Sequence, residues 1–394
     1  MINILKGGKM LAEGGYGCVF HPEIACNGKE TDNKFFISKV QQKDFSAENE
    51  IKIGELIKKE AEGMESNPLL NNFAPVISHC PINLSQLKVK DLDSCNVLKK
   101  VDTTNLILMK IRYIDSKDFD SFIIENSNSN TILLTLISAF NHLLKSLDIL
   151  IKANVVQFDL KGQNIVFDSK RSLPIIIDFG LSLPMQDINQ NTLLNYFYIY
   201  APEYYVWPLE VHYLNLLLHS NPDPTKGELK NLAVTYTKSN AGLDGMSHKF
   251  RKDFEQECYN QLLTYETLTL TERKNNVLKY WKTWDNYSLS IIYLKFIYFI
   301  VKSSKKTILK NKFIEYFTEI LLTNIHPDPK KRMSIEKTSD VFNKFIYNND
   351  INTSELFQEI SENIAEHKIR INKSFSLNKR RIRSLTENSI RKTV

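Results

Sequence analysis

The stretch Val155-Val156-Gln157-Phe158-Asp159-Leu160-Lys161-Gly162-Gln163-Asn164-Ile165-Val166-Phe167 sets three polar functions on a short loop between two apolar runs. The carboxylate of Asp159 is followed two residues on by the ammonium of Lys161 and five residues on by the amide of Asn164. That set suits phosphoryl transfer to a hydroxyl. Asp159 accepts the proton, Lys161 balances phosphate charge and Asn164 offers a carbonyl oxygen to a metal. Further along, Ile175-Ile176-Ile177-Asp178-Phe179-Gly180 ends an apolar strand in an acid released by glycine, a hard oxygen ligand for Mg2+.

Upstream, Leu11-Ala12-Glu13-Gly14-Gly15-Tyr16-Gly17-Cys18-Val19 reads as a strand-turn-strand whose glycines let backbone N–H groups approach phosphates closely. An ordinary glycine turn would look the same. Phe36-Ile37-Ser38-Lys39-Val40 is an apolar strand with one lysine, which is costly to bury unless anions surround its ammonium. A surface-strand lysine is the competing reading. The helix expected over Ser46 to Glu60 offers a carboxylate partner. Glu50 is preferred to Glu48 because Glu50-Ile51-x-Ile53 places apolar positions where an inward-facing acid would pack.

These elements occur in the order of the protein-kinase signature set, and Ala201-Pro202-Glu203 follows Asp178. The chain resembles the eukaryotic-type protein kinase family, and Asp159-Leu160-Lys161 resembles its Ser/Thr branch. The resemblance spans about residues 5–347. It implies an α+β, two-lobed protein-kinase-like fold, with a small β-rich N-lobe carrying one main helix and a large helical C-lobe. It also implies transfer of the γ-phosphate of ATP to Ser or Thr of protein substrates, with ATP and Mg2+ as cofactors. Residues Leu11 to Val19, Lys39 and Glu50 would hold ATP, Asn164 and Asp178 would carry Mg2+, and Asp159 and Lys161 would act on the substrate. Trp284-Asp285-Asn286-Tyr287-Ser288-Leu289 resembles the start of the family's buried central helix, whose Asp holds the catalytic-loop backbone. His326-Pro327-Asp328-Pro329-Lys330-Lys331-Arg332 resembles its last motif, with Arg332 expected to pair with Glu203.

There are departures. Ala12 stands where the first glycine of the loop falls, and Gln157-Phe158 replaces His-Arg before Asp159. Without that arginine, activity is expected not to depend on phosphorylation of Ser182 or Thr192. The divergence, together with an Asn-, Lys- and Ile-rich composition, resembles kinases of large cytoplasmic DNA viruses. That resemblance implies host cytoplasm or virion. Two other classes compete: a nucleotide-binding pseudokinase scaffold, and a basic nucleic-acid-binding protein. Retention of Lys39, Asp159, Asn164 and Asp178 together favours the enzyme.

Composition bounds the rest. The chain has 394 residues, 42% hydrophobic and 24% charged, so it can fold around a sizeable core. Strand patterns at 18–21, 35–40, 73–78 and 105–113 precede helical spacing from Thr131 onward. The segmentation is 1–113 for the N-lobe, 114–347 for the C-lobe with an insertion at about 209–282, and 348–394 for a helical and basic tail. Cys18, Cys26, Cys80, Cys95 and Cys258, with no C-x-x-C pair, read as reduced and intracellular. Cys18 reads as a small packing residue, with a redox-sensitive thiol as the alternative. His212, His219, His248 and Cys258 match no zinc pattern.

The net charge is +6. Nine Lys or Arg and one acid between Lys368 and Val394 hold +8, leaving −2 for the remainder. This tail, with Lys379-Arg380-Arg381-x-Arg383, is a candidate for an acidic partner or nucleic acid, and Ser374, Ser376, Ser384 and Ser389 for autophosphorylation. No secretory signal or transmembrane segment is expected: Lys6 and two glycines interrupt the start, and the longest apolar stretch, Ser288 to Val301, is short and carries Lys295.

Overall fold

The computed structural model describes residues 8–29, 31–82, 94–100, 102, 104–126, 132–303, 310–348, 353–366 and 373. The basic tail, apart from Lys373, lies outside them, as do 127–130 at the end of the polar stretch after Ile114. Contacts divide the chain into two compact units. One holds the N-terminal part to Lys117 with 152–157 and 166–185, and the other holds 118–151, 158–165 and the chain from Gln186 on. The sequence segmentation at 113 follows chain order, whereas the first unit also takes in two later returns of the chain.

The first unit is built on an antiparallel sheet of five strands, β1 (Lys9–Glu13), β2 (Gly17–His21), β3 (Phe36–Gln42), β4 (Val76–Ile82) and β5 (Leu106–Arg112), in the order β1-β2-β3-β5-β4. Period-two patterning explains it, since Cys18, Phe20, Val40, Ile82, Leu106 and Leu108 share one buried cluster. Helix α1 (Phe45–Ala61) starts where the Asp44 side chain accepts the Ala47 N–H at 3.0 Å and buries Ala47, Ile53 and Ile57. At Gly54 a Cβ would stand 2.7 Å from the Val76 oxygen, so glycine lets α1 lie directly against β4. A short helix, α2 (Pro68–Asn71), follows.

The strand expected over 73–78 is displaced to β4. Pro75 has no N–H to give a ladder, and the preceding residues pair elsewhere: the Ala74 N–H donates to Ile176 O at 3.1 Å and the Ile176 N–H to Asn72 O at 2.9 Å. Three strands, β6 (Ser116–Asp118), β8 (Ile165–Asp168) and β9 (Pro174–Ile176), form a second sheet, and β7 (Val155–Val156) pairs with β10 (Leu183–Pro184).

The expectation that the cysteines are reduced is overturned. Cys18 is bonded to Cys95 and Cys26 to Cys80, which leaves only Cys258, buried in the other unit, as a free thiol. Spacing along the chain gave no hint, because each bond joins residues that only sheet pairing and the 94–100 turn bring together.

The second unit is helical: α3 (Phe119–Asn126), α4 (Ile132–Lys152), α5 (Leu193–Tyr196), α6 (Leu209–His219), α7 (Lys226–Ser239), α8 (His248–Leu263), α9 (Leu270–Leu278), α10 (Trp284–Ser303), α11 (Lys312–Asn324), α12 (Ile335–Ile346) and α13 (Thr353–Glu366). Phe140 of α4 packs edge-on against Tyr293 of α10, Phe317 of α11 and Phe342 of α12, with ring centres 4.8–5.0 Å apart. Each such pair adds about 0.5–1.5 kcal/mol beyond its buried area. Helix α6 is buried at every position from Leu209 to Leu217, so the stretch read as an insertion begins with a core helix. Among the described residues α4 alone is long and apolar enough to cross a membrane, and most of it is buried against its neighbours, as a core helix would be.

Candidate functional site

In the first unit, Lys39 projects from β3, and its Nζ lies 2.7 Å from Glu50 Oε2 on α1 and 3.5 Å from Asp178 Oδ1. Glu50 is buried while Glu48 is exposed, in keeping with the preference for Glu50. Burial alone would lower the Lys39 ammonium, but Glu50 and then Asp178 outweigh it and hold Lys39 above its ordinary value. Burial lifts the Glu50 carboxyl against the pull of Lys39. The outcome is a charged lysine held between two acids, with the Asp178 side chain 52% exposed.

Asp178 owes its position to neighbours that replace regular structure. Its φ of +60° is left-handed, a region that Asp tolerates better than most residues. Gln157 Nε2 donates to the Asp178 carbonyl at 3.1 Å, Ser182 Oγ to the Gln157 carbonyl at 3.0 Å, and Asn49 Nδ2 to the Ser182 carbonyl at 2.8 Å. Gln157, which sequence reasoning noted only as a departure, is thus the residue that fixes Asp178. Ser182 is fully buried.

The glycine-rich hairpin closes with Gly14 N–H donating to Gly17 O at 2.9 Å. Ala12 is not among the left-handed residues, so its Cβ is tolerated. At Gly17 a Cβ would lie 2.3 Å from Val40 O, which only glycine avoids. Two expected members of the loop are engaged elsewhere. The Cys18 side chain is locked to Cys95 in the core, and the Glu13 carboxylate accepts the Val97 N–H at 2.9 Å. Among the described residues, Glu13, Cys18 and Cys95 are the one gathering of three His, Cys, Asp or Glu ligand atoms within 4.8 Å, and the disulfide leaves no thiolate there.

In the second unit, the Asp159 carboxylate is ringed by donors. Its Oδ2 accepts Lys161 Nζ at 2.8 Å and Asn164 Nδ2 at 2.8 Å, and its Oδ1 accepts the hydroxyl of Tyr204. Asn164 Nδ2 also donates to the Asp159 carbonyl at 2.9 Å, which leaves its side-chain oxygen for a hard cation. Asp285 Oδ1 accepts the Phe158 N–H at 3.0 Å, the backbone role expected of it. Phe158 has a φ of +66°, stacks on Trp207 at 4.8 Å, and gives its carbonyl to Trp207 Nε1 at 2.7 Å.

The expected Arg332–Glu203 pair does not form. Glu203 is exposed in a turn, and Arg332 instead makes a two-pronged ion pair with Glu210 at 2.7 and 2.8 Å. Pro208 opens α6, so the carboxylate that enters the core is the one on the helix's first turn. Trp284 Nε1 donates to the same carboxylate at 3.0 Å. Burial opposes the Arg332 charge, and Glu210 more than restores it. Pro208-Leu209-Glu210 ahead of an apolar run was the available signal. For Tyr204 and Trp207 the sequence carried none.

No family model matches the chain, and comparison with curated proteins finds no match. The donor sets fit Mg2+ and nucleotide phosphates on their chemistry alone: a half-exposed carboxylate, a free amide oxygen and a lysine already held charged.

Proposed function

We propose that the protein is an ATP-dependent protein kinase with a two-lobed kinase-like fold, transferring the γ-phosphate to Ser or Thr hydroxyls of protein substrates. The observation that carries the reading is the Lys39–Glu50 pair at 2.7 Å with Asp178 on the same ammonium, which keeps a charged lysine beside a half-exposed carboxylate, as nucleotide phosphates and their metal would require. Lys39 meets the α- and β-phosphates while the Gly14–Gly17 backbone covers them. Asp178 and Asn164 each carry a hard oxygen of the kind that would hold Mg2+, which would supply neutralisation of phosphate charge when bound. Asp159 accepts the substrate hydroxyl's proton as the new O–P bond forms and ADP leaves, and Lys161 offsets the charge of the transferred group.

The test is transfer of radiolabelled γ-phosphate from Mg·ATP to a generic basic protein by the wild type, Asp159→Asn and Asp178→Ala. Label incorporated by the wild type alone is the expected result. No incorporation by the wild type, with ATP still raising the unfolding midpoint, overturns the enzyme in favour of a nucleotide-binding scaffold.

A further inference from the structure

We propose that Tyr204 is the positioning residue of the Asp159 carboxylate, an inference that rests on the kinase reading. Lys161 and Asn164 donate to Oδ2 of Asp159 and so hold one side of the carboxylate. The Tyr204 hydroxyl donates to Oδ1. With donors on both oxygens, the carboxylate is held against rotation about its Cβ–Cγ bond, and the phenol is what holds the Oδ1 side.

Tyr204 does not have the mobility of a self-substrate waiting to be displaced. Its ring is buried, edge-on to Trp207 with centres 5.0 Å apart, and Trp207 is itself stacked on Phe158 and bonded to the Phe158 carbonyl. The backbone after it is tied to α10, where Tyr287 OH donates to Tyr205 O at 3.3 Å and Ser288 Oγ to Val206 O at 2.8 Å. One aromatic brace therefore holds the left-handed Phe158, and through Tyr204 the carboxylate that follows it. Burial first, then the Asp159 charge, raise the phenol well above its ordinary value, so it remains a neutral donor. Residues locked in this way are what keep a reacting group in its productive geometry.

The experiment measures kcat, both KM values and the unfolding midpoint for Tyr204→Phe in the full chain. A kcat reduced roughly ten- to a hundredfold, with the KM for ATP and the midpoint held, is the expected result. Trp207→Phe keeps an aromatic ring while removing the bond to the Phe158 carbonyl and part of the stack on Phe158. It is expected to lower kcat in the same sense, and it decides the matter should Tyr204→Phe not fold. A folded Tyr204→Phe with unchanged or raised kcat overturns the positioning role while leaving the kinase reading intact. A wild type that transfers no phosphate overturns both.

Discussion

At the scale of single residues, Glu210 and Glu203 separate a buried charge pair from a motif that only looks like one. Removing Glu210 strands the Arg332 guanidinium in the core, so Glu210→Ala should cost about 3–5 kcal/mol in urea unfolding. Glu203→Ala, at an exposed turn, should stay within about 0.5 kcal/mol. Equal effects would contradict the assignment. His212 supplies a pH prediction. It is wholly buried in α6, with both ring nitrogens outside hydrogen-bond geometry. Burial pushes it down to about 3, against the nearby carbonyls of Trp207 and Tyr204. The unfolded imidazole takes up a proton near pH 6.5 and the folded one only near 3. This contribution is therefore complete above pH 6.5 and is lost as pH falls through that window, at roughly 1.4 kcal/mol per pH unit. Urea midpoints at neutral and at mildly acid pH should converge more closely for His212→Gln than for the wild type.

At the scale of elements, the hairpin of β1 and β2 depends on one glycine far more than on its neighbours. A Cβ at Gly17 meets Val40 O at 2.3 Å and Gln41 Cβ at 2.7 Å, while at Gly14 the nearest atom is 3.7 Å away. Gly17→Ala should destabilise the sheet by about 1–3 kcal/mol and weaken ATP binding, and Gly14→Ala should leave the unfolding midpoint nearly unchanged. Thermal unfolding with and without ATP reads both. The helices of the 209–282 region begin on signals written locally. Thr225 with Glu228 and Thr269 with Glu272 form reciprocal capping boxes, and Ser247 caps α8. Each of these caps involves residues only three apart, whereas the burial of α6 depends on what covers it, which nothing in its own residues names.

At the scale of the whole molecule, the disulfides give the sharpest check. Of the five cysteines, a thiol reagent should label Cys258 alone in the unfolded, unreduced chain, and all five after a dithiol reductant. The bonds close loops between residues 77 and 54 apart, worth about 4 kcal/mol each on the chain-entropy account, so reduction should lower the unfolding midpoint. Labelling of all five without reductant would remove both bonds.

The sequence by itself determined a strand-rich start followed by helices, the lysine and its Glu50 partner, and the Asp159-Lys161-Asn164 loop. Each of these is carried by periodicity or by a short spacing. Only the tertiary structure decided that Glu210 takes Arg332, that Gln157 holds Asp178, that Tyr204 reaches Asp159, and that four cysteines pair. These contacts join residues 21 to 122 apart. A partner so distant is chosen by which groups the packing buries together, and the need to satisfy a buried charge or donor then selects among them.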